Sequence, residues 1–412
     1  MKITAVSTAV VEANFDWTIV KIDTDSGITG WGEAFFAPGL TATIAALGQL
    51  IRHRDPRQVQ VLVRDMRQAA SAAGSGGQVF HAITGIEIAL WDILAKSLDV
   101  PLWQLWGGRF RNSVRIYADC HGGDALESLD PLLQPRRPAW DKSQSAWSAA
   151  IGWKTTEVLA SYTPEAYANK AQSMVQAGFD ALKFDVDIPN PWTRDAYNRA
   201  LGAREIDYIG NLLQAVRDRV GPGVDVAVDC HWKFSPESAL ELARALEPFK
   251  LLWLEDPIPP ENIEVLRELR VRSPVPILTG ENLYGAHEFR RLIESQAASI
   301  IAPDLHKVGG LAEGLRVSQL ADLYYMLVAP HNIASPIGTL AAVHLCATIP
   351  NFLALEWHAS DVPFWNDLVH EARLIREGYI QVPDTPGLGI TVNEDVIRRY
   401  AKRGESVFAP RE

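Results

Sequence analysis

Apolar and polar residues alternate along 3–12 and again along 17–24, the two-residue period of paired strands. The stretch DSGITGWGEA at 25–34 supplies a turn and a third short strand. From Thr41 to about Val100 the period becomes helical. The clearest helix is 81–100, where Ile83, Ile86, Ala89, Leu90 and Ile93 share a face and Pro101 stops the run. A strand meander followed by helices predicts an α+β capping domain over residues 1–112.

Beyond it, runs rich in Val, Leu and Ile recur at 114–120, 181–187, 224–229, 250–256, 275–281, 298–304, 324–331 and 352–358. Helical patterns fill the gaps, at 163–179, up to Val220, and at 236–247, 260–271, 286–294, 312–321 and 337–348. Strand–helix alternation builds a parallel sheet. Eight repeats predict an α/β fold, a TIM-like (β/α) barrel of eight strands over 113–365, with 366–412 returning to complete the cap. Two insertions interrupt the repeat, at 121–159 and 188–207. The first carries Trp140, Trp147 and Trp153, residues that favour burial, and is expected to be a structured lid or subunit-contact arm.

Composition adds limits. A chain of 412 residues exceeds a barrel of about 250 and leaves room for the cap. A net charge of −11 argues against nucleic acid as a partner. Cys120, Cys230 and Cys346 are too few and scattered for a disulfide framework, which fits a reducing cytoplasm. Ser7, Thr8 and Glu12 interrupt the apolar N-terminus, and no run approaches a membrane span, so no membrane partner is expected.

Chemistry enters with three acids. Asp229, Glu255 and Glu281 each end an apolar run, and successive pairs are 26 residues apart. One acid after a strand is ordinarily a helix cap. Three at equal offsets deliver three carboxylates to one rim, where their repulsion calls for a cation; hard oxygen donors suit Mg²⁺. His331, after Pro330, ends the seventh run, and Asp304 ends the sixth. A carboxylate on one ring nitrogen fixes the tautomer and raises basicity, so this couple beside a metal rim reads as a proton-abstraction site. Strand alternation points Lys183 and Asp185 to the same side, either into the site or into a salt bridge with each other.

The cap, the barrel and the motifs GWGEA (30–34), ALWDILAK (89–96), PDLHKVGG (303–310), PH (330–331) and LE (355–356) together resemble the enolase superfamily across essentially the whole chain. The Asp304/His331 pair places the resemblance in the mandelate racemase-like branch, whose sites use a Lys or His base with Mg²⁺. The resemblance implies His331 as base held by Asp304, and Lys183 and Glu356 beside the substrate carboxylate. Racemases of the branch carry Lys-x-Lys on strand two; here the motif is Lys183-Phe184-Asp185, which implies proton abstraction from one face only. Asp229-Cys230-His231 is similar to the Asp-x-His of acid-sugar dehydratases, where the His is the general acid. Asp185 and His358 are candidate substrate contacts, and the loop Phe35–Leu40 with the 121–159 arm is expected to read substrate hydroxyls. The resemblance therefore implies a dehydratase of an aldonate such as gluconate or galactonate, in a homo-oligomer. The alternatives are a racemase, epimerase or cycloisomerase, or a metal-binding paralogue without catalysis. Ala302 stands where many relatives have Gln.

Overall fold

In the computed structural model, which describes residues 1–123, 126–142, 147–148, 161–193, 195 and 197–409, the cap begins with an antiparallel meander. It comprises β1 (Ile3–Glu12), β2 (Asp16–Thr24) and β3 (Thr29–Ala34). Helices α1 (Leu40–Ile51), α2 (Val59–Ala69) and α3 (Gln78–Ser97) follow. Glycine makes the seam between β3 and α3. A Cβ on Gly32 would collide with the Gly85 carbonyl, and one on Gly30 with the Ala89 carbonyl. Both obstacles are backbone, which cannot step aside. Gly32→Ala is therefore expected to destabilise the fold by about 1–3 kcal/mol, seen as a lower denaturant midpoint with unchanged slope.

Helix α3 starts at Gln78, three residues before the expected start, and ends at Ser97; Asp99, with φ of 56°, turns the chain before Pro101. The expectation that no run approaches a membrane span needs correction. Gln78–Ser97 is long and apolar enough by composition, but 78% of its most apolar 18-residue window is buried, as in a core helix.

The second sheet is mostly parallel. Its parallel strands are β4 (Ser113–Asp119), β7 (Ala181–Asp185), β8 (Asp225–Asp229), β9 (Leu254–Glu255), β10 (Ile277–Thr279), β11 (Ile300–Ile301), β12 (Leu327–Val328) and β13 (Leu355–Trp357). A two-residue pair, β5 (Leu126–Glu127) and β6 (Trp147–Ser148), stands apart. From β4 to β12 each of these parallel strands pairs with the next, and β13 pairs with β4 through Leu355–Ile116, Glu356–Tyr117 and Trp357–Ala118. Between β12 and β13 a parallel bridge joins Val328 to Phe352. Several regular spans are shorter than the apolar runs because the ladder continues through single bonds: Leu252 N–H donates to the Val226 carbonyl, and Asp256 N–H to that of Leu278.

Helices α4 (Pro164–Gln176), α5 (Ala203–Val220), α6 (Pro236–Leu246), α7 (Ile263–Arg272), α8 (Gly285–Glu294), α9 (Leu311–Leu323) and α10 (Pro336–Thr348) fill the gaps. The chain then forms β14 (Ile375–Arg376), β15 (Tyr379–Gln381), which is antiparallel to β4, and α11 (Glu394–Arg399). It ends along β1, where Lys402 N–H donates to the Val10 carbonyl and Phe408 N–H to that of Thr8.

One face of the parallel sheet buries its own small cluster. Tyr117 and Trp253 meet edge-on with centroids 5.1 Å apart, packed with Ala181, Ala227, Ala302, Ala329 and Ala354. Two large rings leave alanine-sized gaps, which accounts for the size of Ala302. Of the first insertion, Trp140 packs on its own chain: its indole N–H donates to the Glu12 carbonyl, and its ring meets Phe364 edge-on. The Trp147 side chain and Trp153 lie outside the described residues, as do residues 124–125, 143–146 and 149–159 of the expected arm.

Candidate active site

Register decides which acids meet. Asp185 pairs with Asp229 and Asp229 with Glu255, so three successive parallel strands end at one level. Glu281 follows two residues after β10. Asp229, Glu255 and Glu281 are all buried, and one carboxylate oxygen from each lies within 4.8 Å of the others. Glu255 Oε2 accepts the Trp253 indole N–H at 2.9 Å, whereas Oε1 has no hydrogen-bond partner among the described residues. That oxygen lies 3.3 Å from the Lys183 ammonium without hydrogen-bond geometry, and a buried all-oxygen donor set of this kind fits a hard divalent cation.

Lys183 stands in the midst of these acids. Its ammonium lies 2.7 Å from Glu356, 2.9 Å from Asp229, 3.2 Å from Asp119 and 3.3 Å from Glu255. Among the described residues its ion pairs go to these four acids and not to Asp185, so the predicted alternative of a Lys183–Asp185 salt bridge is not what forms. The long side chain of Lys183 spans the site, while the short one of Asp185 stays beside His231. Burial disfavours the ammonium, but Glu255, Glu356, Asp119 and Asp229 outweigh it and keep Lys183 protonated. Burial raises both Glu255, helped by Asp229, and Glu356, against the pull of Lys183.

On one flank, His331 Nδ1 lies 2.6 Å from Asp304 Oδ2, the predicted couple. Its Nε2 is turned to Glu281 at 3.4 Å and Glu356 at 3.9 Å. Burial lowers the affinity of His331 for a proton, but Glu281, Glu356 and Asp304 more than restore it. The Phe35 ring, from the cap, stands 6.0 Å from that of His331.

His231 is on the other flank. Its Nδ1 is 3.1 Å from Asp187 Oδ1, and its Nε2 is 3.9 Å from Asp229 Oδ2. Burial opposes its charge, yet Asp229, Asp187 and Asp185 raise its pKa well above the ordinary imidazole value. Asp185, Asp229 and His231 also form a second group of donors at metal-ligand spacing. A ring that keeps its proton acts as an acid sooner than as a ligand. Asp185 is itself pushed well above the carboxylate range by burial, against the opposing charge of His231, with Asp119, Glu127 and Asp187 adding to the rise.

His358 sits behind Asp119. Its Nε2 is 3.0 Å from Glu127 and 3.8 Å from Asp119, and Asn14 Nδ2 lies 3.1 Å from its Nδ1. Despite burial, Asp119 and Glu127 push it up to about 10. It shares Asp119 with Lys183.

Sequence reasoning missed Asp119, Asp187 and Asp256. Asp119 ends the first barrel run, the rule that found the triad, and Asp187 continues the alternation of Lys183 and Asp185. Asp256 directly follows Glu255 and accepts the Thr279 hydroxyl. A cleft of about 860 Å³ opens from His231 past Trp232, Asn282 and Tyr284; Leu133 of the first insertion and Tyr197 and Arg199 of the second line it.

Residues 3–107 match the mandelate racemase/muconate lactonizing enzyme N-terminal domain, and residues 166–396 the enolase C-terminal domain-like family. A D-xylonate dehydratase from Haloferax volcanii is 40% identical over 409 residues, covering 99% of this chain and 90% of the relative. A D-gluconate dehydratase from Thermoproteus tenax is 28% identical over 386 residues, covering 93% and 69%. The crystal structure of a mandelate racemase/muconate lactonizing enzyme-like protein from Rubrobacter xylanophilus DSM 9941 superposes with a TM-score of 0.87 at 38% identity, covering 99% of each chain. Likeness at this level runs from the cap strands through the acid-bearing sheet, and the chain belongs to the mandelate racemase/muconate lactonizing enzyme branch of the enolase superfamily.

Proposed function

We propose that the protein is a hydro-lyase that dehydrates an aldonic acid to its 2-keto-3-deoxy acid, with Mg²⁺ on Asp229, Glu255 and Glu281. The reading includes an eight-stranded barrel, closed across the Val328–Phe352 bridge, beneath a cap formed by 1–112 and 366–412. The observation that carries it is the pair of histidines on opposite flanks of the carboxylates: one held by Asp304 with Nε2 turned toward Glu281 and Glu356, one kept protonated by Asp187 and its neighbours.

A cation at the triad would draw electron density from the substrate carboxylate and acidify the proton on C2. His331 Nε2 removes that proton, with Asp304 holding the ring in register. Lys183 offsets the negative charge that develops on the carboxylate, aided by Glu356 as a hydrogen-bonding acid. His231 protonates the 3-hydroxyl, the C3–O bond breaks and water departs; the enol then tautomerises to the ketone. Asp185 occupies the place of the second racemase lysine, and a carboxyl that retains its proton is no base. That favours elimination over racemisation.

The test incubates Mg²⁺-loaded protein with D-xylonate, D-gluconate, D-galactonate and a set of sugar diacids, scoring 2-keto acid by semicarbazide absorbance. Product from an aldonate is expected. No product from any acid, in protein shown to hold Mg²⁺, refutes the reading, and C2 proton exchange without product would point to an epimerase. His231→Asn is expected to lower dehydration by about 10²- to 10⁴-fold while C2 exchange in D₂O persists, because only the leaving group loses its acid.

A further inference from the structure

Asp304 has a second imidazole beside it. Its Oδ2 serves His331, while Oδ1 accepts the His306 backbone N–H at 2.7 Å and lies 3.4 Å from His306 Nδ1. His306 is buried in PDLHKVGG, and its Nε2 has no hydrogen-bond partner among the described residues. That nitrogen faces the cap. A side chain at Gly338 would meet both His306 Nε2, at 2.7 Å, and Glu33 Oε2, at 2.8 Å, so the two groups converge on one point of α10. A cavity of about 10 Å³, with room for about one water, counts both His306 and Glu33 in its lining, with Trp17 and Ile333. Glu33 belongs to the cap motif GWGEA, and Phe35 N–H donates to the His306 carbonyl at 3.1 Å.

We propose that His306 is a positioning residue for the base: it holds Asp304 from the side opposite His331 and, through one water, ties that carboxylate to Glu33 of the cap. The proposal rests on His331 being the base, and it adds a His–Asp–His arrangement anchored in a second domain. His306 Nδ1 stands at ion-pair distance, 3.4 Å, from Oδ1, beside the backbone N–H that donates to the same oxygen, so Asp304 is held against rotating away from His331, and the charge that Asp304 presents to His331 is shared. The water completes the surroundings of Nε2 beside the Gly338 backbone, and Glu33 fixes the ring without contacting substrate. Burial opposes the charge on His306, and Asp304, Glu33 and the Gly338 backbone restore it.

The test uses full-length, Mg²⁺-saturated protein and three variants. Asn at 306 keeps a donor near the Nδ1 position, Gln places one near Nε2, and Leu has none. The first readout is the downfield ¹H resonance of His331 Nδ1–H, assigned by its loss in His331→Asn. With the shared donor removed, Asp304 becomes a stronger acceptor, so the resonance is expected to move further downfield in His306→Leu and His306→Gln and to return in His306→Asn. The second readout is turnover: His306→Leu should lose about tenfold in kcat with KM nearly constant, and His306→Asn should recover most of it. A resonance unmoved in every variant, or equal losses in Asn and Leu carried in KM, overturns the proposal. Should Leu fail to fold, the contrast of Asn with Gln decides alone. A wild-type protein that turns over no acid sugar, yet whose resonance still answers to His306, refutes the dehydratase reading and leaves the positioning role standing.

Discussion

His331→Asn is expected to lose about 10²- to 10⁴-fold in kcat and, unlike His231→Asn, to stop C2 proton exchange in D₂O as well. The contrast follows from where each ring sits. His331 Nε2 faces Glu281 and Glu356, where the C2 proton would lie, whereas His231 approaches from the Asp229 and Asp187 side. Asn at 331 can still donate to Asp304, whose other oxygen keeps the His306 backbone N–H, so the fold should survive. Near-UV circular dichroism checks that, and ¹H NMR of the substrate in D₂O checks exchange. Full exchange in His331→Asn would remove this residue from the role of base.

The second large effect concerns the cation. Mg²⁺ at a hundredfold excess over its Kd should stabilise the fold by about 2.7 kcal/mol, and Glu255→Gln should abolish most of that gain. The sign of its pH dependence can be worked out. Burial, reinforced by Asp229, raises Glu255 above its usual 4.5, so the folded metal-free protein holds a proton that the unfolded chain has released. Its contribution to stability without metal therefore falls as pH rises from the unfolded value through the folded one. Bound Mg²⁺ removes that loss, so the Mg²⁺-induced rise in Tm should grow with pH across the same window. Thermal melts with Mg²⁺ and with chelator, over a pH series, measure it directly. An increment that is flat in pH, or that survives Glu255→Gln, would move the cation elsewhere.

Much of this site is legible in the chain because parallel strands place their ends at one rim. Equal spacing brings out Asp229, Glu255 and Glu281, and the same logic pairs Asp304 with His331. What spacing cannot convey is the registration of strands distant in sequence. That β13 lies against β4, with Glu356 level with Tyr117, is what puts Glu356 and Asp119 on the ammonium of Lys183. Side-chain length matters too: Lys183 and Asp185 share a face but find different neighbours. His306 hid within a motif whose Asp304 had already been assigned a partner. Strand lengths were overestimated where an apolar run continues past its regular ladder, as at 250–256.

The Tyr117–Trp253 pair has a consequence for how such a site can be altered. Trp253 is fully buried, fills the space beside the Tyr117 ring, and its indole N–H is the donor on Glu255 Oε2. Shrinking it to admit a bulkier acid would open a void and release Glu255, a proposed metal ligand, in one step. Leu133, Tyr197 and Arg199 line the cleft beside His231 instead. A laboratory evolution campaign for new sugar acids should accumulate changes there, leaving the aromatic floor intact.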